Sequence, residues 1–212
     1  MIIMPIIDLL VLPEVTFYFK KDMFPGKVLT SENEGEDLLF LMLKTEKDKS
    51  LLESADIYPV GASGVIESID GEGNVRIRVK ERVAISDFEN HEGELSATAS
   101  ILPEVADIEA EEEKKLFDKL KKDMMRFAQG FQWGMWARGY ILHWKNLNEV
   151  GCAVAGYFNM TWEEKYAVME TASRRQRCEM IMAAVYEMME MHKVGEEAES
   201  AQKENYESAY RE

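Results

Sequence analysis

The chain has 212 residues, of which 46% are hydrophobic and 31% charged, so it is long enough for one large or two modest domains with their own cores. Its formal net charge of −15 argues against nucleic acid as a partner, because phosphate backbones require clustered lysine and arginine. No apolar run approaches the roughly 20 residues of a membrane-spanning helix, and the apolar start lacks a basic leader, so we expect no membrane partner and a prokaryotic cytoplasmic location.

Residues 1–103 have the pattern of a β-rich region. Strands are predicted from β-branched, aromatic and alternating apolar residues at Ile2–Leu12, Val15–Phe19, Val60–Ile69, Val75–Val83 and Leu95–Leu102. Periodicity leaves the apolar run Leu38–Leu43 open as a buried strand or part of a helix. The turn-forming residues Asp70–Asn74 predict a β-hairpin. Short strands with frequent turns indicate a small, partly closed sheet or barrel.

From residue 104 the pattern becomes helical. Glu104–Glu113 is acidic and poor in large apolar residues, so we expect a solvated linker that runs into a helix start. Two series of residues with helical spacing follow: Leu116, Leu120, Met124, Phe127 and Phe131, then Trp133, Trp136, Tyr140 and Trp144. Asn148–Phe158 is a third, shorter helical segment.

A long final helix is predicted from its first residues. Thr161 and Glu164 fit a capping box, in which each side chain accepts a hydrogen bond from the other residue's backbone. The apolar stripe beyond it predicts one helix from Thr161 to about Lys193, with Gly195 as a candidate break or bend. The expected fold is therefore α+β: a β-rich part over 1–103, an acidic linker over 104–113, a helical bundle over 114–195 and a polar helical tail over 196–212.

Residue patterns for catalysis or cofactor binding are missing from the sequence. The phosphate-binding pattern GxxxxGK[ST] is absent, and Ser63 does not fit a nucleophile elbow. The three histidines are widely separated, with no pair at metal-ligand spacing. Cys152 and Cys178 are expected to be buried free thiols. We therefore expect no catalytic, cofactor-binding or metal-binding residue in this chain.

The candidate binding residues are soft and aromatic side chains. The chain has 14 methionines and four tryptophans, and methionine-rich surfaces bind varied partners because methionine adapts its shape. Candidates for an apolar groove that binds unfolded segments are Trp133, Met135, Trp136 and Tyr140. The alternative is that these residues form the core of the helical part. A second candidate surface is the turn Leu12-Pro13-Glu14 with Phe17, Tyr18 and Phe19. Alternate residues there face away from the buried side of the sheet, so we expect some aromatic surface to be exposed.

Four segments of the chain follow one another in a consistent order. They are Met4–Pro13, Tyr58–Ala62, Met160–Lys165 and Gln202–Tyr206. Together with the Asp70–Asn74 hairpin, they resemble the amino-terminal substrate-binding domain of the Lon ATP-dependent protease family. Ile7 stands where that family usually has arginine, and Glu14 where it has glycine.

The resemblance implies a PUA-like β-rich subdomain followed by a helical bundle whose long C-terminal helix leads toward an ATPase module. It implies a non-catalytic role, in which the chain engages unfolded, damaged or degron-bearing proteins for a hexameric ATPase and serine peptidase. ATP, Mg and the homo-hexamer are implied only for the rest of the parent protein. Three other hypotheses stay open. They are a free-standing LON-domain adaptor, a PUA-like RNA-binding protein, against which the charge of −15 counts, and an enzyme acting on a small molecule, for which the sequence indicates no residues.

Overall fold

Strands occupy the first half of the chain and helices the second in the computed structural model, which describes residues 1–24, 28–131 and 134–209, with side chains as far as residue 192. The strands are β1 (Ile2–Ile6), β2 (Thr16–Lys20), β3 (Asp37–Met42), β4 (Val60–Ile69), β5 (Asn74–His91) and β6 (Glu94–Ile101). The α-helices are α1 (Ala110–Ala128), α2 (Gly134–His143), α3 (Leu147–Val154), α4 (Trp162–Glu170) and α5 (Arg174–Ala209). None of these helices is long and apolar enough to cross a membrane. The predicted α+β class is confirmed.

The six strands form one sheet in the order β1-β3-β4-β5-β2, with β6 paired to β5. β1 and β3 are parallel, and the other pairs are antiparallel. β5 extends eight residues beyond the predicted Val75–Val83, so it pairs first with β2 and then with β6. The expected partial closure is not found in the part of the chain that the structure describes, because β1 and β2 end the strand order at opposite edges.

Strand β3 resolves the ambiguity of the apolar run Leu38–Leu43. Leu38 and Phe40 pack into a large core cluster shared with the helices, whereas Leu39 and Leu41 pack into a second cluster on the opposite face of the sheet. Because both faces of this strand are buried, neither face favours polar residues, and its sequence is continuously apolar instead of alternating. This burial explains why periodicity did not distinguish a strand from a helix.

The predicted hairpin at Asp70–Asn74 is confirmed. The Asp70 carboxylate accepts hydrogen bonds from the backbone N–H groups of Glu72 at 2.9 Å and Asn74 at 2.8 Å. Gly73 has a φ of +82°, which glycine adopts without steric cost. Hydrogen bonds from Asn74 hold the pKa of the Asp70 carboxyl below its usual range. This local chemistry sets the turn between β4 and β5.

The amino-terminal strand is shorter than predicted, because β1 ends at Ile6 rather than at Leu12. Asp8 then adopts a φ of +53°, and its carboxylate lies 2.6 Å from the amine of the buried Lys165 on α4. The apolar residues after Asp8 are buried in irregular backbone within the large core cluster. The apolar composition predicted a strand here, but these residues are buried by packing against the helices and do not pair in the sheet.

The final helical region begins at the predicted cap. The backbone N–H of Thr161 donates to the Glu164 carboxylate at 2.7 Å, and the backbone N–H of Glu164 donates to the Thr161 hydroxyl at 3.3 Å. At the other end, the helix backbone passes through Gly195 and continues to Ala209. The capping box is therefore confirmed, and Gly195 does not break the helix.

The single helix predicted from Thr161 to about Lys193 is divided into α4 and α5. Between them, the backbone N–H of Val105 donates to the carbonyl of Ala172 at 2.9 Å, and the N–H of Arg174 donates to the carbonyl of Val105 at 3.1 Å. The segment before α1 thus inserts at the break and replaces helical hydrogen bonds with bonds to a distant part of the chain. A partner remote in sequence is not visible to local periodicity.

The acidic segment Glu104–Glu113 runs into a helix start, as predicted, and it is also held against α5. α1 already begins at Ala110, and the carboxylates bind arginines at the start of α5. Ion pairs form between Glu113 and Arg174, between Glu112 and Arg175, and between Glu104 and both Arg174 and Arg177. Because acids and bases sixty or more residues apart meet here, the segment fastens α5 to the start of α1.

Helix α4 packs directly on the sheet. The Tyr166 hydroxyl accepts a hydrogen bond from the backbone N–H of Val60 at 3.1 Å, and its ring stacks on Tyr58 with centroids 3.8 Å apart. The indole N–H of Trp162 donates to the carbonyl of Leu43 at 2.5 Å. These contacts, together with the core cluster that contains residues of both the sheet and the helices, hold the two parts in one packed body.

Candidate functional site

An apolar cavity of about 600 Å³ opens between the helices. We call it the helical groove. It is lined by Met124, Phe127, Ala128, Phe131, Trp136, Ala137, Tyr140, Ile141, Trp144, Val154, Tyr157, Met188 and His192. Its volume lies within the range of roughly 300–1,000 Å³ typical of sites that enclose a small molecule or a few side chains.

The floor of the helical groove consists of buried apolar residues from four helices. Met124 comes from α1, Ile141 from α2, Val154 from α3 and Met188 from α5. Each of these helices presents its apolar stripe to the same centre, as expected of amphipathic helices in a bundle. The floor therefore offers an apolar surface whose residues are already held in place by the core.

The rim of the groove exposes aromatic rings. Trp136 is 79% exposed and Tyr140 is 73% exposed, on the face of α2 that borders the cavity. Tyr157, which follows α3, also lines the cavity and is exposed. Exposed aromatic groups that surround an apolar cavity are typical of a surface that a partner covers.

The position of α2 depends on a close approach to the end of α1. A Cβ atom on Gly134 would lie 1.7 Å from the carbonyl oxygen of Ala128, so this position has room only for glycine. At its other end, the amine of Lys121 donates to the carbonyls of Leu142 at 2.9 Å and Trp144 at 2.7 Å. These carbonyls belong to the C-terminal end of α2, where a cation is favourable. The two contacts fix the wall that carries Trp136 and Tyr140.

The predicted groove residues are partly brought together. Trp136 and Tyr140 line the helical groove, and Met135 is exposed on α2 but lies outside the lining. Trp133 lies outside the residues that the structure describes. The alternative, that this series forms the helical core, holds for the buried Ile141 beside it and not for Trp136 or Tyr140.

The second predicted surface is exposed only in part. Leu12 and Phe19 are buried in the core, and Phe17 is half-buried against it. Phe17 and Phe19 stack with their ring centroids 5.8 Å apart, since both pack toward Phe40. Tyr18, between them, points outward and is 69% exposed. The exposed aromatic ring of this surface is therefore Tyr18. The exposure expected at Leu12 and Phe19 is not found, and their contact with a substrate stays a prediction.

Several groove residues were missing from the sequence prediction. Phe127 and Phe131, with ring centroids 4.8 Å apart, were interpreted only as part of the α1 stripe. His192 lies near both Phe127 and Tyr157, with centroids 6.4 and 6.5 Å away. The sequence does show apolar residues in i, i+4 spacing at these positions, but that spacing is the same for a core and for an open groove.

Groups that are able to do covalent chemistry lie away from this site. The Ser63 hydroxyl, on β4, donates to the carbonyl of Glu81 at 3.4 Å. Burial raises the pKa of the Cys178 thiol to about 11, so it is a poor nucleophile near neutral pH. Cys152 is half-buried. Within residues 1–24, 28–131 and 134–192, whose side chains the structure describes, no cluster of His, Cys, Asp and Glu is arranged to hold a metal ion.

Comparison with known proteins agrees with this architecture. The family described as the ATP-dependent protease La (LON) substrate-binding domain matches residues 4–186. The chain belongs to this family. The match runs from within β1 to within α5, and it confirms the resemblance seen in the sequence.

Relatives of this Lon substrate-binding domain are distant in sequence. The Lon protease of Clostridium beijerinckii is 23% identical over 180 residues, which are 82% of this chain and 22% of that protein. The chain thus spans about a fifth of the length of that relative. The N-terminal domain of Mycobacterium avium complex Lon protease superposes with a TM-score of 0.56 at 16% identity, covering 87% of this chain and 96% of that one. The Lon N-terminal domain protein of Xanthomonas campestris gives 0.49 at 13% identity, covering 85% and 95%.

Proposed function

We propose that this Lon substrate-binding domain recognises unfolded or damaged proteins by binding their apolar segments in the helical groove. The observation that supports it is an apolar cavity of about 600 Å³ whose rim exposes Trp136 and Tyr140. A folded protein keeps its apolar side chains inside, whereas an unfolded one presents them in runs. The groove therefore distinguishes the two states by the accessibility of side chains and needs no specific sequence.

The energetics favour binding at the rim. An aromatic side chain buries about 150–250 Å² when it is fully covered, at about 25 cal/mol per Å². Because Trp136 and Tyr140 are mostly exposed in the free protein, most of that area is left for a partner to cover. Aromatic residues in such positions typically carry about 2 kcal/mol or more of binding free energy.

We further propose that the bound protein passes to an ATPase and a serine peptidase outside this chain, with ATP and Mg acting there. In this proposal the parent protein is a homo-hexamer in the cytoplasm of a prokaryote. Several grooves in one assembly would bind one unfolded chain at once, which raises the overall affinity above that of a single groove. Nucleic acid and membranes are not partners in this proposal.

The test is binding of one protein in two states. A reduced and alkylated, permanently unfolded polypeptide is titrated against this chain, in parallel with the same polypeptide in its native form. We expect the unfolded form to bind more tightly. Equal binding of both forms, or binding of neither, would contradict the proposal.

Matched variants locate the site. Tyr140→Ala is expected to weaken binding of the unfolded polypeptide by about 30-fold, which corresponds to ~2 kcal/mol. Tyr18→Ala removes the same atoms from a tyrosine that is 69% exposed on β2, compared with 73% for Tyr140, and it is expected to bind as the unmodified chain does. If both variants lose affinity equally, the groove is not the binding site.

A further inference from the structure

Strand β2 lies at an edge of the sheet, because it pairs with β5 on one side only. In an antiparallel pair, every second residue exchanges backbone hydrogen bonds with the neighbouring strand. The N–H of Lys21 donates to the carbonyl of Gly73 at 2.9 Å, and the N–H of Val79 donates to the carbonyl of Val15 at 2.9 Å. The odd-numbered residues of β2 therefore bond to β5, and the even-numbered residues face the free edge.

The even-numbered residues of β2 present backbone groups along this edge. They are Thr16, Tyr18 and Lys20, and each has one N–H donor and one C=O acceptor. Among the residues that the structure describes, none forms a hydrogen bond with these backbone groups. Donors and acceptors in this spacing are a template onto which another extended chain adds as a strand.

The opposite edge of the sheet, at β1, differs in one residue. The N–H of Leu43 donates to the carbonyl of Ile6 at 2.8 Å, so the even-numbered residues of β1 bond to β3, and Ile3 and Pro5 face outward. Proline has no N–H, so Pro5 removes a donor from that edge, as is typical of edge strands that are protected from pairing. β2 contains no proline, and its row of donors is continuous.

The side chains of β2 define the kind of strand that fits. Phe17 and Phe19 face the core, and Phe17 is only half-buried, whereas Tyr18 faces outward. An added strand places every second side chain beside the two phenylalanines, so apolar residues are favoured at those positions. Its other side chains lie on the exposed face of the sheet, where polar residues are favoured.

One cation on the exposed face is available to the added strand. A nitrogen of Arg76 and a nitrogen of Lys80 each lie 2.9 Å from a carboxylate oxygen. Arg78, between them on β5, is exposed, lies opposite Thr16 and has no acidic partner in the part of the chain that the structure describes. Thr16 is short, so the long Arg78 side chain is able to extend across it to the next strand.

This cation makes a second copy of the chain a poor occupant of the edge. In a two-fold antiparallel pairing of β2 with β2, centred on Tyr18, Lys20 of the second copy would lie opposite Thr16 and beside Arg78. The two-fold symmetry would create this contact between like charges twice, and like charges on neighbouring strands are destabilising. A segment with a carboxylate opposite Thr16 gains an ion pair instead.

We propose that the edge of β2 binds an extended polypeptide segment as an added strand, in which apolar and polar residues alternate and an acidic residue lies beside Thr16. Of the described residues that line the helical groove, none belongs to β2, so this is a separate site. The inference rests on the proposed function only for the source of the segment, because unfolded proteins expose extended backbone. Main-chain hydrogen bonds supply most of the affinity, and Arg78 supplies the preference for an acid.

The test uses the full chain with Tyr140→Ala, which weakens the helical groove, and a short fluorescent peptide of alternating valine and threonine with one central glutamate. Two N-methylated isomers of this peptide are compared by fluorescence anisotropy, one methylated on its odd-numbered amides and the other on its even-numbered amides. Only one set of amides faces β2 in an added strand. We therefore expect the affinities of the two isomers to differ by about tenfold, since several main-chain hydrogen bonds are lost in one of them.

Variants of the protein assign the contact to the edge of β2. Tyr18→Pro removes an N–H that faces away from β5, so the sheet keeps its hydrogen bonds, and peptide affinity is expected to fall about fivefold. Tyr18→Ala keeps this N–H and is expected to leave the affinity unchanged. Arg78→Gln is expected to remove a preference of about threefold for the glutamate peptide over its glutamine analogue, and the control Lys80→Gln is expected to keep it.

The outcomes separate this site from the groove. Equal binding of the two isomers would overturn the inference, even if Tyr18→Pro failed to fold, because that comparison leaves the protein unchanged. Peptide binding that disappears with Tyr140→Ala would place the peptide in the groove and also overturn the inference, while the proposed function would stand. A dimer that Tyr18→Pro dissociates would show that a second copy occupies the edge. Peptide binding at β2 without binding of the unfolded polypeptide in the groove would overturn only the proposed function.

Discussion

Two carboxylates of the segment before α1 provide a direct test of how burial sets the strength of an ion pair. Glu104 pairs with Arg177, whose side chain is 3% exposed. Glu112 pairs with Arg175, where the two side chains are 45% and 41% exposed. The two pairs lie in the same segment and fasten it to the same turn of α5, so replacing each glutamate by glutamine compares them under matched conditions.

Burial determines the expected magnitude. In Glu104→Gln, the Arg177 guanidinium stays buried without its counter-ion. A second cation is close by, since desolvation and then the positive charge of Arg177 lower the pKa of Arg82. Removing one partner of a buried pair typically costs about 3–5 kcal/mol. In Glu112→Gln, water solvates the freed Arg175, so we expect no measurable loss of stability.

Urea unfolding followed by circular dichroism measures the difference. With an m-value of about 2 kcal/mol per M, Glu104→Gln is expected to lower the midpoint by about 1.5–2.5 M at unchanged m. Glu112→Gln is expected to unfold at the midpoint of the unmodified chain. Equal shifts in the two variants would refute the reasoning, because they would show that burial of the arginine does not decide the cost.

Two further predictions concern the groove wall and the contact between α4 and the sheet. Gly134→Ala is expected to lower the melting temperature and to weaken binding of the unfolded polypeptide, because the new Cβ would lie 1.7 Å from the carbonyl oxygen of Ala128. The control is Gly139→Ala, whose Cβ would have nothing within 4 Å, and it is expected to keep the affinity for that polypeptide and to keep or raise the melting temperature. Identical behaviour of the two variants would contradict the prediction. Burial raises the pKa of Tyr166 to about 12, although the hydrogen bond from the Val60 backbone lowers it in part. The folded state therefore holds this proton more tightly than the unfolded state, in which the pKa of tyrosine is about 10. Its contribution to stability is therefore complete below about pH 10 and is lost as the pH rises to about 12. Urea midpoints measured across this range should fall less steeply in Tyr166→Phe, and an equal slope would exclude Tyr166 as the cause.

Predictions that rest on neighbouring residues agree with the structure. The Asp70–Asn74 hairpin and the Thr161 capping box both form as the sequence predicts, since each depends on hydrogen bonds within five residues. The order of a β-rich half and a helical half was also predictable, because side-chain periodicity changes near residue 104. Local chemistry of this kind is the same in an isolated peptide and in the folded protein.

Predictions that depended on distant partners failed. The ion pairs that hold the Glu104–Glu113 segment to α5 were not predicted, because the arginines are sixty or more residues away in sequence. The break between α4 and α5 was not predicted, because Val105 supplies the competing hydrogen bonds. Leu12 and Phe19 were assigned to a surface, although the helices and the sheet enclose them in the core.

The sequence by itself determined the class of fold, the family resemblance and the absence of a recognisable catalytic pattern, because these follow from residue types and their spacing. Only the tertiary structure decided that Trp136 and Tyr140 are exposed beside a cavity while Ile141, on the same helix, is buried. Helical spacing places an apolar residue on one face of its helix, but the packing of α1, α3 and α5 determines how far that face is covered. The groove exists because these helices meet around a floor that α2 only partly closes.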